Sequence, residues 1–421
     1  MRISTSAIYA AGVRAMQQQT EKLVQVQQQI SSGRRILTPA DDPVAAARVL
    51  EVLQSQSINT QYGVNNGTAS DSLSMQESTL GSITSLLQNV RDLAVNAGNA
   101  TLNQSDRASL ANALRGSYQD LLALANSTDG SGQYMFSGYQ GGIRPFGEAS
   151  PGVVVYNGDQ GQRLMQISPS RQIAVSDAGA EVFQRIPNGN GVFATRPGVS
   201  NGGTGVIDTG TIIDPTKWSA AGNSKDYTVK FSVSVGVTTY DIIDNVAGTS
   251  LLTGLTPGAA PYPRTFSSGG NIDVGQAGPP AFDYGAQVSI SGAPADGDSF
   301  TIKTSTNQDV FKTISDLANL LQTSPGGAAL TNGLAAAQRN LDNALQNISA
   351  VRSSTGSRLQ ELDTMKSAGD DRALQYSQTL SNLQDVDYAK AASELTQQQV
   401  NLEAAQKSFA KVAGLSLFSY L

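Results

Sequence analysis

The chain has 421 residues, with 34 acidic against 28 basic side chains for a formal charge of −6, and contains neither histidine nor cysteine. The missing cysteines exclude disulfides, thiolate nucleophiles and Cys-type zinc sites, and the missing histidines exclude the imidazole general base, the Ser-His-Asp relay and imidazole metal ligation. A net negative charge gives no general attraction to nucleic acid, no apolar run approaches the roughly 20 residues of a membrane helix, and 15% charged with 6% aromatic residues is unlike a typical enzyme.

In chain order, the opening Met1-Arg2-Ile3-Ser4-Thr5-Ser6 lacks the apolar stretch of a cleaved signal peptide. Tyr9, Val13, Met16, Thr20, Leu23, Gln27 and Ile30 then alternate in steps of four and three, which predicts a helix with a narrow, partly polar seam. Gly33 reads as its stop, with Arg34 and Arg35 near the carbonyl end. Asp41 reads as the cap of a new helix starting near Pro43. The adjacent acids Asp41 and Asp42 point in different directions and do not form a catalytic pair. A stronger stripe follows through Leu73, Gln76, Leu80, Ile83, Leu87, Val90, Ala94 and Ala97, and another through Leu110, Leu114, Ser117, Leu121 and Leu124.

Eleven of the 15 prolines fall between residues 146 and 304, so helices are expected in the flanks and not in the middle. The segment 188–210 reads as a loop. Thr228 to Val235 alternates, placing Val229, Phe231, Val233 and Val235 on one face, and Gly236 turns the chain into the strand 237–242. A second strand pair is expected from residues 287–290 and 300–302, joined by a Gly/Pro/Asp turn. Helical rhythm returns through Leu341, Leu345, Ile348, Arg352, Thr355, Leu359 and Leu362, then Ala373, Tyr376, Leu380 and Leu383. It ends with Tyr388, Ala392, Leu395, Gln399, Leu402, Gln406, Phe409 and Ala413.

The expected architecture is α+β and multidomain: a long antiparallel helical coiled-coil bundle drawn from both chain ends, with a central mainly-β insert. Three parts are expected: residues 1–40 with 385–421 as a terminal coiled coil, 41–146 with 305–384 as a helical bundle, and 147–304 as a β-rich outer domain. The terminal seams contain Thr20, Gln27, Gln399 and Gln406, so this helix pair should be marginal alone and stable when neighbouring protomers cover it. Ser408-Phe409-Ala410-Lys411 matches S-x-x-K, but the Ser-Asp-Asn and Lys-Thr-Gly elements of penicillin-binding enzymes are missing, and Asp296-Gly297-Asp298 lacks the spaced acids of a calcium loop. No residue is assigned a catalytic, cofactor or metal role.

Several motifs converge on one family. Ser31-Ser32-Gly33-Arg34-Arg35-Ile36 with Pro39-Ala40-Asp41-Asp42-Pro43 resembles the N-terminal signature of bacterial flagellins and their relatives. The opening Met1–Thr5, the stretch Gly132-Gln133-Tyr134-Met135-Phe136-Ser137-Gly138-Tyr139 and the nearby Pro145-Phe146 are more similar to the hook-filament junction proteins. Residues 226–231 and 291–300 resemble repeats in the β domains of hook-associated proteins, and 385–391 with Leu415-Ser416-Leu417-Phe418 resembles flagellin-like C-termini. The chain therefore resembles the flagellar hook-associated protein 3 family, well over both flanks and in short pieces over the insert.

That resemblance implies a non-enzymatic adaptor between hook and filament, whose paired terminal helices form the inner wall of the axial structure. The implied partners are a hook-side junction protein (hook-associated protein 1), flagellin, further copies of itself in a ring and a flagellar type III export chaperone, with neither nucleic acid nor membrane. The implied location is the extracellular flagellum, reached by the type III route. Candidate assembly positions are Leu23, Ile30, Leu395, Leu402 and Phe409 on the seams, with Arg34, Asp41 and Asp42 at the connector the family uses as a spoke. The rival readings are flagellin itself and, from another class, a secreted adhesin acting through its β insert.

Overall fold

The computed structural model describes residues 5–258 and 260–414. Eight helices are seen among them: α1 (Thr5–Ser32), α2 (Pro43–Ala97), α3 (Gln104–Ala125), α4 (Gly179–Phe183), α5 (Pro215–Ser219), α6 (Val310–Thr323), α7 (Gly327–Gln384) and α8 (Tyr388–Gly414). Short antiparallel strands fill the span between α3 and α6. The fold is thus the expected α+β, with long helices from both flanks and a mainly-β middle. The chain divides into two compact units. One comprises Met1–Asn66, Ile167–Ser170 and Asp363–Leu421, and the other Gly67–Gln166 and Arg171–Leu362.

In the second unit, all eight positions of the stripe from Leu73 to Ala97 are buried, six of them completely. From Leu80 onward they join α3, α6 and α7 in one core that includes Leu114, Leu121, Leu317, Leu341 and Ile348. The five large aliphatics of the stripe alone contribute about 8–15 kcal/mol before chain entropy is counted. The polar interruptions have local reasons. Gln76 donates to the Asp177 carboxylate at 2.6 Å, and the same carboxylate takes both oxygens' bonds from the Arg358 guanidinium at 2.8 and 3.0 Å. Arg352 pairs with Glu77 at 2.6 Å, and Thr355 returns its hydroxyl to the Val351 carbonyl at 3.1 Å. These pairings offset much of the cost of burying polar groups, although Gln76 Oε1 and Glu77 Oε2 find no hydrogen-bond partner among the described residues. An aromatic knot of Phe136, Phe146, Phe183 and Phe311, with neighbouring ring centroids 5.3–5.7 Å apart, closes the same core. Val154, Val182 and Ile186 also belong to it, and the β core proper begins at Phe193.

That β core lies between two antiparallel sheets. One runs in the order 249–250, 237–244, 226–234, 299–304, 193–197, with 264–265 also on 237–244, and the other joins 271–276 to 282–291, which also takes 206–207 and 211–212. Three expectations are corrected here. First, 287–290 and 300–302 are strands but not partners: Ser299–Thr304 pairs with 226–230 and 193–197, whereas 282–291 lies in the other sheet. The Gly/Pro/Asp segment is a corner between sheets, held by Asp298, which accepts from the backbone N–H of Gly202, Gly203 and Ala295 at 2.8–3.1 Å. Val288, Ile290, Phe300 and Ile302 still face the same core, so hydrophobic alternation is the same for either topology.

Second, Val233 and Val235 leave the inner face, at 38% and 101% exposure, while Val229 and Phe231 are fully buried. The strand ends there because Val235 and Gly236 form a two-residue turn with φ of +51° and +79° between Ser234 and Val237. Third, 188–210 is not loop throughout, because Phe193–Pro197 is an edge strand, a place that tolerates its terminal proline.

Candidate assembly interface

The first unit is where the sequence placed its assembly residues. α1 stops at Ser32 because Gly33, at φ +72°, adopts the left-handed conformation that glycine enters without strain. The chain then makes a short backbone bridge to the end of α7: the main chain at Arg34 lies antiparallel to that at Asp385, the Arg35 N–H donates to the Gln384 carbonyl at 2.6 Å, and the Val386 N–H donates to the Gly33 carbonyl at 3.0 Å. This clamp sets α1 and α8 side by side and antiparallel. Gln19 donates to Gln398 at 2.9 Å, and nearer the chain ends the Tyr9 ring meets Phe409 edge-on, with centroids 5.4 Å apart. Gly12 is needed for that approach, since a Cβ there would sit 2.6 Å from the Phe409 ring.

The seam so formed is only partly covered. On α1 its positions are Gly12, Met16, Gln19, Leu23, Val26 and Ile30, and on α8 they are Ala391, Leu395, Gln398, Leu402, Ala405 and Phe409. Only Val26 and Ala391 are fully buried, whereas Leu23, Ile30, Leu395, Leu402 and Phe409 stay half-buried. This corrects half of the expected stripe. Met16, Leu23 and Ile30 face the partner helix and Tyr9 touches it through Phe409, but Val13, Thr20 and Gln27 lie outside, as do Tyr388, Ala392, Gln399 and Gln406 on α8. One residue is about 100° of helix rotation. The close contact at Gly12 and the Gln19–Gln398 bond hold α1 about half that amount away from the expected frame, so Gly12, Gln19 and Val26 replace Val13, Thr20 and Gln27 on the seam. Val13, Gln17, Thr20 and Val24 consequently form a second stripe facing away from α8 and lining an open groove. Ala413's side chain and the motifs at residues 1–4 and 415–418 lie outside the described residues.

The connector is held by its acids. Asp41 accepts the N–H groups of Thr38 at 2.7 Å and Leu37 at 3.0 Å, and the Gln25 amide at 2.8 Å. The Thr38 backbone bond is the main reason its carboxyl group sits below the usual carboxylate range. Asp41 is therefore a connector clasp and not the helix cap expected from its place before Pro43. The cap is Asp42, which immediately precedes Pro43 and accepts the Ala45 N–H at 3.0 Å. Asp42 also faces Arg35 at 3.5 Å, and Arg35 donates to the Leu383 carbonyl at 2.7 Å. Arg34 is exposed and makes no ion pair among the described residues.

Sequence reasoning missed Gln25, Arg35 and Gly12 as positioning residues. It also missed Asp387, which caps α8 by accepting from Ala389 and Lys390 at 3.0 and 3.1 Å. Asp387 carried a readable signal, an acid directly before a helical run, whereas Gly12 carried none. Among the described residues no group of three or more potential ligands could hold a metal ion, and no helix is long and apolar enough to cross a membrane. The geometry supports a two-helix stem with outward-facing apolar stripes and a rigid, charged connector.

Comparison with known proteins agrees with that geometry. A family model described as the bacterial flagellin N-terminal helical region matches residues 3–141. Flagellar hook-associated protein 3 of Salmonella typhimurium is 27% identical over 418 residues, covering 99% of each chain. The crystal structure of FlgL from Xanthomonas campestris is 30% identical with a TM-score of 0.67, covering 78% of this chain and 99% of that one. The crystal structure of the flagellar junction protein FlgL from Legionella pneumophila is 28% identical with a TM-score of 0.67, covering 80% of this chain and 100% of that one. Flagellins match over much less, 32% of this chain for polar flagellin F of Vibrio parahaemolyticus.

Proposed function

Because the chain belongs to the flagellar hook-associated protein 3 family, we propose that it works as the structural adaptor between hook and filament of a bacterial flagellum, on which filament attachment and motility depend. The observation that carries this reading is the end-to-end match to hook-associated protein 3, against a partial match to flagellins. It is a mechanical part and not an enzyme. Its partners are a hook-side junction protein on one side and flagellin on the other, with copies of itself completing a ring and a type III chaperone escorting it out of the cell.

The half-covered helices say how it would hold them. α1 and α8 cover only one face of each other, so Leu23, Ile30, Leu395, Leu402 and Phe409 retain apolar area for neighbouring stems. Further uncovered side chains lie on α2, where Leu50, Leu53 and Val64 are 68%, 42% and 60% exposed. Arg34, which makes no ion pair among the described residues, is placed to meet an acid of the next subunit, while Asp41 and Asp42 keep the connector in shape. In this reading residues 1–40 with 385–421 form the axial stem, 41–146 with 305–384 set subunit spacing, and 147–304 face outward.

A deletion strain tests the assignment. Cells lacking this chain should assemble hooks but shed flagellin, and complementation should restore attached filaments. Full-length attached filaments without the chain would overturn the junction reading. Deleting residues 150–300 from the complementing gene should leave attachment intact, whereas an adhesin would lose its activity.

A further inference from the structure

Within the first unit, α2 and α7 do not keep one kind of seam. The inward positions of α2 pass from the buried Ala45 and Val52 to Gln56, Asn59, Tyr62 and Asn66. Opposite them on α7 stand Met365, Ala368, Gly369 and Ala373, all half-buried. Small and polar side chains fill this level poorly. A cavity of ~420 Å³ remains, lined among others by Asn59, Tyr62, Gly63, Asn66, Met365 and Gly369.

Two glycines sit in the helix interiors there without a steric reason. A Cβ on Gly63 would meet nothing within 4 Å, and one on Gly369 would come no closer than 3.9 Å, to Asn59 Oδ1. Each lowers local helix formation about fivefold relative to alanine. The Asn59 amide also donates to the Gly369 carbonyl at 2.8 Å, which places a side chain against the backbone hydrogen-bond ladder of α7. Helices bend at such insertions and at glycines.

We propose that this level, residues 56–66 with 365–373, is a built-in flexure at which α2 and α7 open and bend as a local unit. Its use rests on the junction reading, because a subunit set between two different kinds of neighbour needs compliance in its stem. The flexure itself does not rest on that reading.

Hydrogen exchange followed by mass spectrometry on the purified full-length chain tests it. Amides of 56–66 and 365–373 should exchange at least about tenfold faster than the turns on either side, residues 48–53 and 80–94. The double variant G63A/G369A, for which the structure has room, should slow that exchange roughly tenfold or more and leave 80–94 unchanged. In the deletion strain, G63A/G369A should support fewer attached filaments than the wild-type gene. Uniform protection along α2 would overturn the proposal, and a stiffened variant with wild-type attachment would overturn the flexure's use at the junction. Failure of the wild-type gene to restore filaments would instead count against the junction reading, with the exchange contrast still readable.

Discussion

The Leu73–Ala97 stripe of α2 and the α1/α8 stem share one heptad rhythm and meet opposite fates. In the second unit α2 packs among α3, α6 and α7, and its seam disappears from solvent. In the first unit α1 meets α8, and its larger seam side chains Leu23 and Ile30 remain half-buried, while Val13 and Val24 on the face away from α8 are exposed by 40% and 41%. Periodicity states which face wants cover, and the number of helices around that face decides whether it is covered. A seam with one partner is an interface in waiting, whereas a seam with three is a core.

The largest test of this contrast is truncation. Leu87→Ala should cost about 2–5 kcal/mol in chemical denaturation of the isolated chain, because it empties a fully buried site. Leu402→Ala should cost under about 1 kcal/mol there, yet block filament attachment. Equal costs for the two would break the distinction.

Alkali should next strain the second unit. Burial pushes the Tyr156 and Tyr227 hydroxyls up to about 12 from an ordinary value near 10. Their folded pKa values are raised, so the stability they protect is present below pH ~10 and is lost as pH climbs through about 12. Near-ultraviolet circular dichroism against pH should show loss of aromatic packing in that window, and Tyr227→Phe should shift it upward. Acid acts on the connector with the opposite sign. The Asp41 carboxyl is held low, so its clasp is intact above pH ~4 and is released as pH falls below that, which the Thr38 amide resonance should report.

Asp42→Ala should cost about 1 kcal/mol through loss of the α2 cap, read as a fall in melting temperature. The smallest effect carries the opposite sign. Val235→Gly relieves a β-branched residue from φ +51° in a fully exposed turn, and should raise stability by a few tenths to 1 kcal/mol.

Much of this molecule was legible in its residues. The Leu73–Ala97 stripe was read position for position, including the place of Gln76, although its partner Asp177 lies a hundred residues away. The stop at Gly33 and the strands at 226–234 and 299–304 were equally local, since φ at a glycine and alternation along a strand depend on near neighbours. The α1 stripe was legible only as a mixture. Leu23 and Ile30 do lie on the seam, as do Leu395, Leu402 and Phe409 of α8, but Val13 and Thr20 do not, because the rotation of α1 about its axis depends on how closely Gly12 admits Phe409. The cap expected at Asp41 falls to Asp42 for a similar reason: either could cap by sequence, and the fold of residues 33–40 gave Asp41 other donors.

By itself, then, the order of residues determined where the long helices and the main alternating strands form, which segment is too rich in proline to carry a long helix, and that catalysis by imidazole or thiolate is absent, because those properties reside in single side chains and their spacing. Tertiary structure alone decided which strands pair, which side of α1 meets α8, and which apolar stripes stay open, because each of those follows from contacts between residues far apart in the chain, and packing at one point rotates or shifts everything attached to it.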